Sequence, residues 1–463
     1  MPDVILAVRV LQRFHGSRLR LSGLLRPSAE RSALVFYAGL YAASAGLLKL
    51  AGFVLFLWLA RTLSVKDYAA IGLSYSLQTG LTMVAFAGVV EAVVGQLRAH
   101  RLAERQNELF SAANVAFVRI AVPTTVVAFC AFVVLVRPRA TDLATLGWVL
   151  GSGLLLAFAS MQAQVIRLQE RHVASICLSF LVPLSGFVGG FVTFVIERTE
   201  PSFFFGMFLG TATALIGLRL LGIGFYSIVD RIGATRTILR GVGPFIAIGV
   251  LGWLSGYGNN YLVQLFFEST EVARFTFALM VTSIMQLVAT ALNQVWSPRF
   301  FRLVHELPPE IAERGYRRFS SWQALALGLA GATIIAVFPS LTRALGGNLV
   351  SYQSMRLELL LMVSTYVLLT PWWHCYNYFL IHGEGREVMR ITVATSLIGV
   401  IAWTVSMLVF GPIGIYAGFT IQMLLRVVGI VISARKRWPV TIAWEGLAAG
   451  ILLTLVGFVV SGF

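Results

Sequence analysis

Four cationic residues fall inside long apolar runs, where a positive charge is costly. They are Lys49, Arg119, Arg219 and Arg426. A cation at the centre of a bilayer costs about 2.5–3.5 kcal/mol on translocon scales. Ammonium and guanidinium groups bind phosphate, and a guanidinium group can hold two phosphate oxygens at once. These residues therefore predict a basic cavity that recognises an anionic headgroup. The alternative is structural, with each cation bonding helix carbonyls or extending toward the membrane surface.

Uncharged polar residues recur at helical spacing on two neighbouring predicted helices. One face of the later helix carries Ser283, Gln286, Thr290 and Asn293, and one face of the earlier helix carries Tyr257, Asn260 and Gln264. Hydroxyl and amide groups are suited to bind sugar hydroxyls, so we predict that both faces line a cavity. Hydrogen bonding between packed helices is the alternative.

The composition determines which elements must position these side chains. The chain is 58% hydrophobic and 12% charged, with a mean hydropathy of +0.82. Apolar windows of about 20 residues, long enough to span a bilayer as helices, recur along most of it. Because lipid offers no partner to backbone polar groups, we predict an all-α polytopic membrane protein. The spans are expected at 33–60, 69–90, 111–136, 143–164, 173–195, 202–229, 242–265, 271–295, 320–343, 356–380, 389–410, 412–433 and 440–461.

The charge distribution predicts the orientation. With a cytoplasmic N-terminus, 24 of the 36 Lys and Arg residues lie in cytoplasmic segments and eight in outer loops. This bias follows the positive-inside rule, so the net charge of +16 does not require a nucleic-acid partner. Residues 1–30 are basic, and we expect either a cytoplasmic amphipathic tail on anionic lipid or a disordered segment.

Two internal matches predict a duplication. Arg219 and Arg426 each lie in the sixth span of a set, 207 residues apart, and "VKDYAAIGLS" (65–74) resembles "TEVARFTFAL" (270–279) at an offset of about 204. We therefore expect about 12–13 transmembrane helices in two six-helix lobes, 31–230 and 231–435, related as parallel repeats around a central cavity. Residues 436–463 are expected to form an extra C-terminal transmembrane helix.

Other candidate residues favour no cofactor chemistry. Cys130, Cys177 and Cys375 lie in apolar runs without metal or disulfide spacing. Neither a Gly-rich phosphate loop, a catalytic triad nor a zinc motif is present. "TPWWHCYNYF" (370–379) is either an interfacial aromatic belt or a kinked gate with sugar-stacking rings. We predict no cofactor, no metal and no enzymatic activity.

Several stretches resemble the bacterial polysaccharide exporters of the multidrug/oligosaccharidyl-lipid/polysaccharide exporter superfamily. They are "LARTLSVKDYAAIGLSYSL" (59–77), "EAVVGQLRAHRLAERQNELFSAA" (91–113), "GPFIAIGVLGWLSGYGNNYLVQLFFESTEVARFTFA" (243–278) and "GPIGIYAGFTIQMLLR" (411–426). The chain departs from the family pattern at Ala69, Ile71 and Asn260–Tyr261, where that family often has Gly, Tyr and an Asp–Arg pair.

The resemblance implies a V-shaped pair of lobes in the cell inner membrane. It also implies a flippase that moves an undecaprenyl-pyrophosphate-linked oligosaccharide, an O-antigen or exopolysaccharide repeat unit, from the inner to the outer leaflet by alternating access. Membrane lipids and a polysaccharide polymerase would be its further partners.

Three alternatives remain. A drug/cation antiporter of the same fold would be expected to bury a carboxylate at mid-membrane, where this chain has none. A membrane polysaccharide polymerase or ligase would be expected to carry a sizeable outer loop. A lipid II flippase normally has two helices after the twelfth, where one apolar run follows here.

Overall fold

The computed structural model describes residues 27–90, 92–94, 96, 105–136, 140–223, 229, 233–382 and 384–462. Within these ranges the chain is α-helical with short connections and has no β-strand, which confirms the all-α fold. The predicted basic tail lies, apart from residues 27–30, outside the described residues.

The described part of the first half contains six long helices. These are α1 (Pro27–Thr62), α2 (Val65–Ala85), α3 (Gln106–Val136), α4 (Ala140–Arg167), α5 (His172–Glu197) and α6 (Glu200–Leu220). The remainder contains α7 (Ala234–Leu254), α8 (Asn259–Phe266), α9 (Ser269–Glu306), α10 (Pro309–Leu345), α11 (Arg356–Leu368), α12 (Thr370–Ile381), α13 (Gly385–Phe410), α14 (Ile413–Arg435) and α15 (Trp444–Val460).

The helices account for the predicted spans. Among the described residues, nine helices are long and apolar enough to cross a membrane, and α7, bent by 44° between Gly243 and Phe245, is a tenth. Pro244 lies at that bend, where a proline removes a backbone donor. The other predicted spans correspond to α2, to α11 with α12, and to α15. The chain is a multi-pass membrane protein.

Three predicted spans have different boundaries in the structure. The span predicted at 242–265 ends as α7 at Leu254 and resumes as α8, and the span predicted at 356–380 is interrupted at Leu369. The span predicted at 202–229 ends at Leu220, because Gly222 adopts a left-handed conformation with φ of 74° just after α6.

Helix α2 carries polar groups that bond to the helices packed around it. Ser74 donates to Glu200 of α6 (2.6 Å), and Gln78 donates to Ser152 of α4 (2.6 Å). The backbone carbonyl of Ser76 accepts from the indole of Trp253 on α7 (2.7 Å). Ser64 caps the helix by accepting from the backbone N–H of Asp67 (3.2 Å). Helix α2 therefore bonds to helices of both halves of the chain.

The halves also contact each other where α1 connects to α2, at the end that the charge distribution predicts to be outer. Asn348 donates to the carbonyl of Leu63 (2.6 Å). The ring of Tyr352 stacks on that of Phe277 (4.5 Å between centroids) and meets the edge of Tyr68 (6.0 Å). Burial raises the pKa of the Tyr352 hydroxyl above its ordinary value, so this group stays neutral. We call this group of contacts the outer contact.

Glycines allow close approach in two helix hairpins, one in each half. In the α5–α6 hairpin, a Cβ on Gly206 would collide with Thr193 and with the carbonyl of Gly189. In the α13–α14 hairpin, a Cβ on Gly418 would collide with the ring of Trp403. Small residues are the usual means by which membrane helices pack closely. The same device thus builds the fifth and sixth helices of each half.

Helix α15 packs along α10 through glycines in the same way. A Cβ on Gly450 would lie 2.5 Å from the carbonyl of Ala324, and one on Gly457 would lie 2.6 Å from Ala332. At one end of α15, Glu445 pairs with Arg317. At its other end, Arg356 donates to the carbonyl of Phe458 (2.6 Å). The 17 residues of α15 extend about 25 Å, close to the ~30 Å hydrocarbon core.

Two sequence matches predict the duplication, and the positions of the helices agree with only one of them. Helices α2 and α9 begin at Val65 and Ser269, which are 204 positions apart, as the first match requires. Helices α6 and α14 begin at Glu200 and Ile413, which are 213 positions apart. Arg219 therefore lies in the last turn of its helix and Arg426 well inside its own. The correspondence of these two arginines at an offset of 207 is wrong.

Replacing Gly206 by Ala is expected to lower the free energy of unfolding by about 1–3 kcal/mol, since the added methyl group overpacks the α5–α6 hairpin. Gly217→Ala is the matched control in the same helix, because a Cβ there meets no atom within 4 Å. It should be neutral or stabilising by up to about 1 kcal/mol. Thermal unfolding of the two variants in the same detergent checks this, and equal melting temperatures would contradict it.

Candidate functional site

The structure brings two predicted site residues together across the halves of the chain. The ammonium group of Lys49 on α1 lies 3.4 Å from the side-chain carbonyl oxygen of Gln286 on α9. Both side chains are exposed. A neutral amide cannot neutralise the ammonium charge. Lys49 is therefore a cation with a weak protein partner, able to accept an anion in its place.

The polar face of α9 continues from Gln286 toward its C-terminal end. Asn293, seven residues or about 10 Å further along the helix, accepts from the Asn377 amide of α12 (2.9 Å). Ser297 donates to the same Asn377 side chain (3.1 Å). Asn377 is buried, whereas Asn293 and Ser297 are half-buried. We call Lys49, Gln286, Asn293, Ser297 and Asn377 the α9 polar face.

Arg426 occupies a different place, between α13 and α14. Its Nη2 donates to the Ser396 hydroxyl (2.9 Å), which lies 3.4 Å from the Ser255 hydroxyl at the end of α7. Both serines are at most 1% exposed. Arg426 thus bonds inside the helix packing of the second half, to a serine hydroxyl and not to a helix carbonyl.

Arg119 and Arg219 are both exposed and lie apart from the α9 polar face. Arg119 is in α3, whose exposed surface nearby includes Val118, Val122 and Val126. Arg219 is in the last turn of α6. In the predicted span 202–229 Arg219 would lie ten residues before the C-terminal end, whereas α6 ends one residue after it. The structure therefore does not gather the four cations into one site.

The two predicted amides on α8 are separated by the packing. Asn260 is fully buried and donates to the Ser76 hydroxyl of α2 (2.7 Å). Gln264, one turn further, is exposed. Nearby, the hydroxyl of Tyr261 donates to the carbonyl of Leu73 (2.8 Å). Asn260 therefore belongs to the contact between the halves, contrary to the expectation that it lines an open cavity.

A buried polar cluster near the start of α10 was not predicted as a group. Glu313, 6% exposed, accepts from the Tyr378 hydroxyl (3.1 Å) and from the backbone and hydroxyl groups of Thr441 (2.5 and 2.7 Å). His374 lies 3.6 Å from the same carboxylate. The aromatic stretch 370–379 contains His374, but no local signal connects this histidine to a residue 61 positions earlier.

The buried or half-buried carboxylates of the described helices lie near helix N-termini. Glu200, Glu271 and Glu358 are in the first turns of α6, α9 and α11, and Glu313 is the fifth residue of α10. The helix dipole favours negative charge in this position. Glu358 also accepts from Arg274 (2.6 Å). Among the described residues, no group of three His, Cys, Asp or Glu side chains is placed to hold a metal ion.

The α9 polar face combines two kinds of recognition. An ammonium group binds phosphate as a point charge, and amide groups both donate to and accept from sugar hydroxyls. The described part of this face contains no carboxylate to compete for Lys49. Its chemistry is therefore suited to a ligand that joins a phosphate to a polar, uncharged portion.

Comparisons with known proteins assign the chain to a family. A family model described as polysaccharide biosynthesis protein matches residues 38–304, more than half of the chain. No curated protein matches it in sequence.

Several solved structures share the fold. The lipid II flippase MurJ in an inward closed conformation has a TM-score of 0.69 at 12% identity, covering 91% of this chain and 92% of that one. An inward-facing multidrug resistance MATE family transporter of the MOP superfamily has a TM-score of 0.63 at 15% identity, with coverage of 84% and 94%. The eukaryotic MATE transporter AtDTX14 has a TM-score of 0.60 at 14% identity, with coverage of 92% and 99%. At such identities the likeness establishes the fold, and together with the family match it leads to one conclusion: the chain belongs to the polysaccharide biosynthesis protein family and has the fold of the MurJ and MATE transporters.

Proposed function

We propose that this protein is a flippase that moves an undecaprenyl-pyrophosphate-linked oligosaccharide from the inner to the outer leaflet of the cell inner membrane by alternating access. The observation that carries the proposal is the α9 polar face. There a cation with a single neutral partner, Lys49, lies at one end of a row of amides and hydroxyls. Lys49 would bind the pyrophosphate, while Gln286 and Asn293 would bind sugar hydroxyls.

The position of the outer contact indicates the side from which the substrate would enter. Tyr68, Phe277, Tyr352 and Asn348 hold the halves together at the predicted outer end. With this end closed, the substrate would reach Lys49 from the predicted cytoplasmic side. Release to the outer leaflet would then require these contacts to separate.

The placement of the acids favours a flippase over the drug/cation antiporter of the same fold. An antiporter would be expected to hold its proton or cation on a carboxylate within the membrane. The buried and half-buried carboxylates of the described helices lie near helix N-termini, and Glu313 and Glu358 already have partners. For a polymerase or ligase, the described connections at the predicted outer end are short, and they are 63–64, 198–199, 267–268, 346–355 and 411–412. A catalytic role has no support in these residues.

Replacing Lys49 by Gln is expected to reduce surface polysaccharide at least tenfold in a strain that lacks the chromosomal copy. The loss of one charge-assisted contact to phosphate, worth about 1.5–3 kcal/mol, gives this magnitude. Lys49→Arg should retain part of the activity, because it keeps the charge. Surface polysaccharide is quantified against the amount of the protein in the membrane.

Lys66→Gln is the control for the Lys49 experiment, because Lys66 is exposed in the first turn of α2 at the predicted outer end. It should leave the polymer unchanged. Normal polymer from Lys49→Gln at normal abundance would contradict the role of Lys49. Unchanged polymer in the deletion strain itself, with lowered drug tolerance, would favour the antiporter.

The membrane potential is expected to accelerate transport. Because the cell interior is negative, outward movement of an anion is favoured by about 2.3 kcal/mol per charge per 100 mV. Proteoliposomes with an imposed potassium diffusion potential test this, with proton and sodium gradients held at zero. Transport that is insensitive to the potential would contradict the expectation that it drives the flippase without a dedicated cation site.

Arg426 is assigned to a positioning role, in which it holds α14 to α13 through Ser396. Ser396→Ala should destabilise the protein by about 1–3 kcal/mol, because it leaves a buried charged donor without its acceptor. In the Arg426→Met background the same serine change should cost much less. Thermal unfolding of the wild type, the two single variants and the double variant measures the coupling between the two side chains.

Thr404→Ala is the control for this cycle, since the Thr404 hydroxyl bonds only to the carbonyl of Val400 within α13 (2.9 Å). It should cost the same in both backgrounds. Additive effects of Ser396→Ala and Arg426→Met would show that the two side chains do not act together.

A further inference from the structure

The ends of α9 and α10 enclose a groove beside their short connection at Leu307–Pro308. Its volume is about 830 Å³, and it is lined by three arginines, by aromatic rings and by aliphatic side chains. We call it the basic groove and define it by Arg299, Arg314, Arg318, Trp296, Phe319 and Trp322. None of these residues belongs to the α9 polar face.

The stacked rings of Trp296 and Phe319 indicate where the arginines lie along the axes of α9 and α10. The rings of Trp296 and Phe319 lie 4.2 Å apart and almost parallel, at 3°, so these positions of α9 and α10 face each other. Arg299 is three residues from Trp296 toward the connection, about 4.5 Å along the helix, and Arg318 is one residue from Phe319 in the same direction. The two guanidinium groups therefore project from facing turns on opposite walls of the groove. Arg314 lies one turn closer to the connection than Arg318.

Among the described residues, the three arginines of the basic groove have no ion-pair partner. Their side chains are exposed, and none makes a hydrogen bond or ion pair with another described residue. Other arginines at this end are paired: Arg317 with Glu445, and Arg437 with Glu384. Three like charges around one groove repel each other unless an anion lies between them.

The groove lies at the depth expected of lipid headgroups. The apolar helix Glu310–Leu345 has 36 residues, so it is about 54 Å long and exceeds a ~30 Å hydrocarbon core. Its first turns, which carry Arg314 and Arg318, must therefore extend beyond the hydrocarbon. Trp322, 64% exposed and one turn deeper, has the position of an interfacial aromatic residue. Leu303 and Ile311 add an apolar wall.

We propose that the basic groove is a docking site for the pyrophosphate of a polyprenyl-linked lipid, which it holds before that lipid reaches Lys49. The inference rests on the proposed function and adds to it a first binding site. A phospholipid phosphodiester carries one negative charge, whereas a pyrophosphate diester presents two adjacent charged phosphates. Three guanidinium groups on two walls match the second, because each can hold two oxygens of one phosphate. The aromatic and aliphatic walls would contact the first isoprene units.

The test measures binding of sugar-free undecaprenyl pyrophosphate to the full chain in phosphatidylcholine nanodiscs by native mass spectrometry. The Lys49→Gln background removes the contribution of the α9 polar face. Within it, the triple change Arg299→Gln, Arg314→Gln and Arg318→Gln is expected to lower the affinity at least tenfold. The matched control is Arg105→Gln, Arg236→Gln and Arg240→Gln, which removes three exposed charges from the same predicted side and should change affinity less than twofold.

Two outcomes would overturn the proposal. One is equal affinity of the groove variant and the control variant. The other is displacement of undecaprenyl pyrophosphate by an equal amount of phosphatidylglycerol, which would make the groove a general site for anionic lipid.

Transport distinguishes this proposal from the proposed function. With Lys49 intact, the groove variant is expected to need a tenfold higher substrate concentration for half-maximal transport, with its maximal rate unchanged. Wild-type transport kinetics in the groove variant would refute the docking site and leave the flippase intact. Groove-dependent binding by a wild-type protein that moves no lipid-linked oligosaccharide would refute the flippase and support the docking site.

Discussion

Hydrocarbon supplies no hydrogen-bond partner, so each polar group within a membrane bundle must find its partner inside the protein. Helix α2 shows what this constraint builds. Its polar side chains and carbonyls bond to α4, α6, α7 and α8 through Ser74, Ser76 and Gln78. Because these groups are buried, α2 cannot shift without leaving several of them unsatisfied. The arrangement of the two halves, and with it the α9 polar face, depends on this helix.

The same constraint explains why Arg426 and Lys49 differ in their protein partners. Arg426 is bonded to Ser396 within helix packing, so exchanging that partner for a ligand would leave buried groups unpaired. Lys49 meets one exposed neutral amide and can exchange it at little cost. The number and burial of its protein partners therefore separate Arg426 from Lys49, the cation that the proposed function assigns to substrate binding.

Hydropathy predicted the helices well, because lipid leaves an apolar run of this length few other conformations. It could not predict where a helix ends within a run that stays apolar. Arg219 and Arg426 are each followed three positions later by glycine, yet Gly222 terminates α6 at positive φ, whereas Gly429 lies within α14 and packs against Thr395. Side-chain direction was equally hidden: Asn260 and Gln264 share a helical spacing, but only Asn260 meets α2. These outcomes depend on the neighbouring helix, which local sequence does not specify.

The energies of the outer contact are compatible with a potential-driven flippase. The hydrogen bond from Asn348 is worth about 0.5–1.5 kcal/mol, and each of the three ring pairs among Tyr68, Phe277 and Tyr352 is worth about as much again. Their sum is about 2–6 kcal/mol. Two pyrophosphate charges crossing 100 mV release about 5 kcal/mol, which is of the same order. In the proposed flippase, the movement of the anion would therefore contribute a large part of the energy needed to separate the outer contact.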